Sequence, residues 1–158
     1  SEICLAWCIL AWIEYADRFA HPLLISALTR LPHFMSHCHT VCLSVGTIPS
    51  AFTKLTILEF FYASSNMLTG DSMWESLPLE LTDLDLSWNS FFGTIPFTSS
   101  KYHFENLYIR HNDFTGSLPT NVALLEKVQI LDLSHNLLTG TLSSQLNTVR
   151  IICLFIKT

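Results

Sequence analysis

Residues 81–96 read LTDLDLSWNSFFGTIP, and this stretch decides the fold because its pattern recurs along the chain. Aligned on the asparagine, the pattern reappears as LEFFYASSNMLTGD from Leu58, FENLYIRHNDFTGSLP from Phe104 and VQILDLSHNLLTGTLS from Val128. The marker asparagines, which are separated by 23, 23 and 24 residues, are Asn66, Asn89, Asn112 and Asn136. A fixed period of this size is the signature of a repeat architecture, in which each copy stacks on the next.

Apolar residues fill the same four columns in every copy: the first, fourth and sixth positions, and the second position after the asparagine. Alternation at the fourth and sixth positions predicts a short strand with one face inward. No copy can bury this face alone, so stacked copies are expected to share one core. The sixteen predicted core residues are Leu58, Leu81, Phe104, Val128, Phe61, Leu84, Leu107, Leu131, Ala63, Leu86, Ile109, Leu133, Leu68, Phe91, Phe114 and Leu138.

Asparagine and glycine also recur at fixed places. We expect each asparagine amide to be buried in a turn and satisfied by backbone groups of its loop, because an unsatisfied buried amide costs about 1–3 kcal/mol. The glycines permit the backbone angles of a tight bend. The glycine column consists of Gly70, Gly93, Gly116 and Gly140.

Partial copies flank the four full ones and set the predicted domain boundary. GTIPSAFTKL at 46–55 is the end of an earlier copy with Cys42 in its asparagine column, and Val149, Ile152 and Phe155 begin a later one. The repeats therefore cover 42–158, and we expect the chain to be a fragment. Residues 1–41 form a separate N-terminal segment that we predict to be mostly helical, either a degenerate cap or a mispredicted reading frame. Its uncharged run Ile3–Ile13 is too short for a membrane span, which needs roughly 18–20 residues.

The steps GTIP at 46–49 and 93–96, GSLP at 116–119 and GTLS at 140–143 resemble the plant-specific class of leucine-rich repeat. The resemblance implies an α/β fold: a right-handed, horseshoe-shaped solenoid with a short parallel sheet on its concave face and an irregular or 3-10 convex side. It also implies the ectodomain of a receptor-like kinase or receptor-like protein, or a relative of the polygalacturonase inhibitors. The implied location is the extracellular face of the plasma membrane or the cell wall. GDSMWESLPLEL at 70–81 departs from the usual step after glycine.

Composition narrows the classes of partner. The net charge of -5 comes without a Lys/Arg run, which argues against nucleic-acid binding. Cys4 and Cys8, like Cys38 and Cys42, are four residues apart, whereas structural zinc sites favour two intervening residues, so we predict no metal and no cofactor. These cysteines form disulfides in an oxidising compartment or stay reduced in the cytosol. A membrane partner is expected only through sequence absent from this fragment.

The triplet Asp132, Ser134 and His135 contains the residue types of a hydrolase. The repeat explains it, because Asp85 and Ser87 occupy the same columns two copies earlier. Catalysis would need the three groups to converge beside an oxyanion pocket, which nothing in the pattern suggests. Kinase motifs are absent from the sequence as well. We therefore predict a protein that is not an enzyme.

The third, fifth, seventh and eighth positions of each copy are predicted to point away from the core and to form a surface rich in rings and carboxylates. Such rings are enriched where partners bind, and the acids favour a cationic or hydrogen-bond-donating ligand. We expect this surface to recognise a peptide, glycan or protein ligand, together with a co-receptor, in signalling or defence. The alternatives are a secreted inhibitor of a cell-wall hydrolase and a truncated gene product without function. The candidate ligand-binding residues are Tyr62, Asp83, Asp85, Trp88, Tyr108, Arg110, His111, Asp132 and His135.

Overall fold

The computed structural model describes residues 45–48, 50–56, 58–71, 73–96, 101–118 and 127–140, together with the backbone of 151–153. The predicted helical segment 1–41 and its cysteines lie outside these residues. Within them the chain is a solenoid of parallel strands. Two helical turns accompany the strands, a 3-10 helix at Ser50–Lys54 and α1 at Met73–Ser76.

The first sheet contains the strands that precede the asparagines. Its five strands all run parallel, in the order β10-β8-β6-β4-β2. Strand β10 comes from the partial copy that follows the four full ones. It extends the sheet as the repeat pattern predicts, since Ile152 pairs with Leu131. The strands are β2 (Phe60–Tyr62), β4 (Asp83–Asp85), β6 (Asn106–Tyr108), β8 (Ile130–Asp132) and β10 (Ile151–Cys153).

A second parallel sheet, which the repeat pattern did not predict, follows the asparagine turns. Its five strands are ordered β1-β3-β5-β7-β9. In the four full copies, the second residue after the asparagine is buried in these strands and the residue before it is exposed. The strands are β1 (Val45–Gly46), β3 (Met67–Gly70), β5 (Ser90–Thr94), β7 (Asp113–Ser117) and β9 (Leu137–Thr139).

The two sheets stack their strands in different registers. Equivalent residues of successive coils pair directly in the first sheet, as Asp83 does with Asn106. In the second sheet each strand is shifted by two residues, so that Phe92 pairs with Asp113 and Thr94 with Thr115. Columns of equivalent outward side chains therefore become lateral neighbours only on the first sheet.

The core lies between the two sheets and confirms the predicted columns. All sixteen predicted core residues are buried. The atypical stretch after Gly70 adds a further layer through α1, where Trp74 is buried against the rings of Tyr102 and Phe114. The Tyr102 hydroxyl donates to the Trp74 carbonyl. In this coil, aromatic packing thus takes the place of the motif that follows the glycine in the other copies.

The asparagine amides connect neighbouring coils in addition to closing their own turns. Asn112 Nδ2 donates to the carbonyls of Ile109 and Arg110 in its own coil, at 3.1 and 3.3 Å. It also donates to the Leu86 carbonyl of the preceding coil at 2.9 Å, and its Oδ1 accepts from Phe91 N at 3.0 Å. Asn89 and Asn136 make the same set of bonds. The turn residue therefore also fixes the spacing between coils.

Gly93 shows why the glycine column is needed. Its φ of +87° lies in the left-handed region, which residues other than glycine rarely adopt. A Cβ atom built there would lie 3.1 Å from Asp71 Cβ of the preceding coil. Glycine thus allows both the bend and the close approach of two coils.

Candidate functional site

The outward face of the first sheet carries two straight columns of side chains. The third-position column runs through Phe60, Asp83, Asn106 and Ile130, and the fifth-position column through Tyr62, Asp85, Tyr108 and Asp132. Direct pairing of the strands places neighbouring members of a column about 4.8 Å apart. The outward side chains at these two positions and at the eighth position, with Arg110, are called the first-sheet face below.

Asp83 is the centre of a hydrogen-bond network on this face. Its Oδ1 accepts from Asn106 Nδ2 at 2.6 Å and from the Tyr62 hydroxyl at 3.4 Å. Its Oδ2 accepts from Thr82 Oγ1 at 3.0 Å. These bonds join strands β2, β4 and β6 and hold the carboxylate in one orientation, so that the face presents a fixed negative group.

Both tyrosines of the face keep their phenolic protons over a wide pH range. Partial burial raises the pKa of Tyr62, and the Asp83 carboxylate adds to the shift. Burial likewise raises the pKa of Tyr108, with further contributions from Asp83, Asp85 and Asp132. Each hydroxyl is therefore a hydrogen-bond donor at neutral pH, next to carboxylates that accept.

The eighth-position residues form a stack of rings, called the ring column: Trp88, His111 and His135. Their φ angles of 58°, 52° and 55° are left-handed, and Ser65 in the preceding coil has the same value of 58°. This shared conformation places the rings one above another. Trp88 and His111 stack with centroids 3.5 Å apart, and His111 and His135 with centroids 4.0 Å apart. Sequence alone predicts that these residues share a column, whereas their stacking follows from the left-handed turn.

The seventh position differs from the prediction that it points outward. Ser87 and Ser134 are buried, with 3% and 4% exposure, because the chain already turns inward towards the asparagine. Arg110, at the same position, is exposed and long enough to reach solvent. Asp132, a candidate ligand-binding residue, is only 7% exposed, and its carboxylate lies 3.7 Å from Arg110 Nη1. This acid therefore faces a partner less openly than Asp83 or Asp85.

The hydrogen bonds around Ser134 serve the turn. Its hydroxyl donates to Asp132 Oδ1 at 2.6 Å, and its backbone N–H donates to the same oxygen at 3.1 Å. Asp85 Oδ1 accepts from Ser87 N at 2.9 Å in the equivalent place. The hydroxyl of Ser134 is thus buried and bound to a carboxylate, whereas a nucleophilic serine must be presented to its substrate.

Acidification should weaken the fold through the ring column. Loss of hydration lowers the pKa of His111, and His135 and Arg110 lower it further, against an opposing effect of Asp132. On acidification, the His111 imidazole is therefore protonated in the unfolded chain at a higher pH than in the folded chain. Protonation thus favours the unfolded chain, and the stability present above pH 6.5 is lost as the pH falls through the folded-state pKa. We expect the melting temperature to decrease between pH 7 and pH 5, and His111→Gln to make this decrease smaller.

The control for this prediction is His103→Gln, which removes an exposed histidine outside the ring column. Thermal melts of the parent chain and both variants at several pH values provide the comparison. Equal slopes for His111→Gln and the parent would contradict the proposed role of the stacked imidazole.

Two further observations bear on the chemistry of the described residues. Among them, no group of three His, Cys, Asp or Glu side chains is arranged to hold a metal ion. Within the same parts of the chain, no helix combines the length and apolar character required to cross a bilayer.

Comparison with known proteins agrees with the repeat geometry. The family model described as Leucine Rich Repeat matches residues 80–101 and 127–148, which are two of the four full copies. These two stretches are leucine-rich repeats. Receptor-like protein 39 of Arabidopsis thaliana is 41% identical over 100 residues, an alignment that covers 61% of this leucine-rich-repeat chain.

Solved structures show the same fold. The ectodomain of the receptor kinase SOBIR1 from Arabidopsis thaliana matches with a TM-score of 0.61 and 25% identity, over 72% of this chain and 65% of that chain. The PEPR1–AtPEP1 structure matches with a TM-score of 0.51 and 28% identity, over 71% of this chain and 20% of that chain. The present chain spans 11% of the length of receptor-like protein 39 and 11% of the length of receptor-like protein 7 from Arabidopsis thaliana.

The structure brings the candidate residues onto one side of the first sheet, in two groups and one ion pair between Arg110 and Asp132. Tyr62, Asp83, Asp85 and Tyr108 form a hydrogen-bonding floor on the strands, whereas the ring column lies beyond the strand ends. Asn106 is an additional member of the floor that the candidate set omits. The repeat alignment places Asn106 in the same third-position column as Asp83, and this could have indicated their contact.

Proposed function

We propose that the first-sheet face is a recognition surface for an extended peptide or a protein segment, within the extracellular part of a receptor-like protein or receptor-like kinase. The observation that carries this proposal is the direct register of the first sheet. It aligns rings and carboxylates from separate coils into continuous columns. In this proposal the face is concave, in a right-handed horseshoe, and it binds without catalysing a reaction.

The dimensions of the face suit a short extended segment. Five strands about 4.8 Å apart span roughly 19 Å, which accommodates about six residues of an extended chain laid across them. A stable interface usually buries about 800 Å² on each partner, so neighbouring coils of a longer protein would contribute the remainder. This agrees with a chain that covers a small part of its relatives.

The chemistry of the face favours a peptide or protein over a glycan. Stacking covers both faces of His111, so the middle ring of the ring column has no open face for a sugar. The floor instead offers fixed carboxylates and tyrosine hydroxyls, which match backbone and side-chain groups of a peptide. Its negative charge selects a basic partner. PEPR1, which shares the fold, was solved together with AtPEP1, which supports a partner-binding role for this chain.

The test is the double variant Trp88→Ala with Tyr108→Ala. Linear peptides selected from a random library on the full chain should lose at least about 100-fold in affinity for this variant, since buried interface Trp and Tyr side chains each contribute 2 kcal/mol or more. The matched control is Phe92→Ala with Leu137→Ala, which removes two exposed apolar side chains from the second sheet.

Binding of the selected peptides should survive in the control variant. The opposite pattern, with retained affinity in the first variant and lost affinity in the second, would move the recognition surface to the second sheet. Circular dichroism of both variants verifies that the fold is intact.

A further inference from the structure

The ring column ends at Trp88 on the side of the preceding coil. His111 covers one face of the indole, and Ser65 stands in the column position next to its other face. Ser65 has the same left-handed backbone as the residues that bear rings, but its side chain contributes no ring. Trp88 is 49% exposed. The stack therefore has room for one more planar group above Ser65.

Charge along the column is strongly asymmetric. From residue 55 to residue 100 the sequence contains no Lys or Arg, whereas it contains six acidic residues. Two of these, Asp83 and Asp85, stand on β4, the strand that leads into Trp88. On the far side of the indole, Arg110 precedes His111 and lies 3.7 Å from the Asp132 carboxylate, whose charge it offsets. The end of the column at Ser65 is thus the end that attracts a cation.

We infer that the Ser65 side of Trp88 binds the guanidinium group of an arginine side chain carried by the peptide partner. This inference rests on the proposed function and specifies the chemistry of one subsite. Guanidinium is planar and stacks on indole, which an ammonium group cannot do. Stacked on Trp88, it extends the column with a fourth planar group, and the carboxylates of β4 supply the complementary charge.

The lowered pKa of His111 is consistent with this arrangement. A neutral imidazole beneath the indole adds no positive charge to the column. Protonation of His111 would place a second cation on the opposite face of Trp88 and oppose binding of the guanidinium. Recognition of arginine should accordingly weaken as the pH falls through the folded-state pKa of His111.

The direct test compares two probes, N-acetyl-arginine amide and N-acetyl-citrulline amide. Citrulline has the same planar shape without the charge. In the full chain, the indole N–H resonance of Trp88, identified by its loss in Trp88→Ala, should shift on titration with the arginine probe. Half-saturation should occur at about threefold lower concentration than with the citrulline probe, the ratio expected of an exposed cation–π contact. Equal responses to both probes, or no response to arginine, would overturn the inference.

A substitution in the protein should block the proposed arginine subsite beside Trp88. Ser65→His introduces the residue that the same column carries at 111 and 135, and it should abolish the response to the arginine probe. Ser65→Asn is the matched control, since asparagine tolerates the left-handed conformation and adds no ring, and it should keep the response. An undiminished response in Ser65→His would overturn the inference.

The same variants separate this inference from the proposed function. Selected peptides that bind Ser65→His as tightly as the parent, but lose affinity for Trp88→Ala with Tyr108→Ala, would overturn the arginine subsite alone. Peptides that bind all of these variants equally would contradict the proposed function itself.

Discussion

Replacing Phe114 with alanine should lower the free energy of unfolding by about 3–5 kcal/mol, because the lost contacts leave a cavity that the surrounding coils cannot close. Phe114 is fully buried, and its ring lies 6.4 Å from that of Phe91 and 5.9 Å from that of Trp74. It thus joins the core of two coils to the aromatic layer beside α1. Thermal and urea unfolding of the full chain should show a melting temperature lower by about 10 °C.

Phe92→Ala is the matched control for this prediction. Phe92 lies on the neighbouring strand β5, but its side chain is 46% exposed on the outer side of the second sheet. The same chemical change there should alter the stability by less than about 1 kcal/mol. Similar losses for the two variants would contradict the placement of the core between the two sheets.

The second large effect concerns the turn asparagines Asn66, Asn89, Asn112 and Asn136, called the asparagine ladder here. Asn112→Leu should lower the free energy of unfolding by about 3 kcal/mol, because it leaves the buried Phe91 N–H without its acceptor and removes the amide bonds that connect two coils. Phe91 N loses the Asn112 Oδ1 acceptor, and the Leu86 and Ile109 carbonyls lose a donor. These groups belong to two coils, so hydrogen exchange should become faster in both of them. A local effect on one turn alone would leave the preceding coil unchanged.

Asn106→Leu provides the comparison for the ladder. Asn106 stands on the outward face and donates to Asp83, a carboxylate that also accepts from Thr82 and Tyr62. Loss of this half-buried bond should cost about 1 kcal/mol or less. The role of the ladder in holding coils together would be refuted by equal destabilisation in the two variants, measured by chemical unfolding.

The amino-acid sequence by itself determined the solenoid and its core. Alternation within each copy specifies a strand with one buried face, and the interval of 23–24 residues brings equivalent strands next to each other. This is why all sixteen predicted core residues are buried, and why Ile152 pairs with Leu131 at the edge of the first sheet. Both properties depend on local periodicity, which a sequence displays directly.

The tertiary structure alone decided how successive coils meet. The second sheet and its two-residue shift depend on how the strands tilt as the coils stack, which the period does not encode. The ring column depends on a left-handed backbone at Trp88 and His111, which these residue types do not predict. The burial of Ser134 and Asp132 depends on how the chain turns inward. Columns of residues follow from the repeat, whereas contacts between them follow from the geometry of stacking, because a period specifies equivalence and not distance.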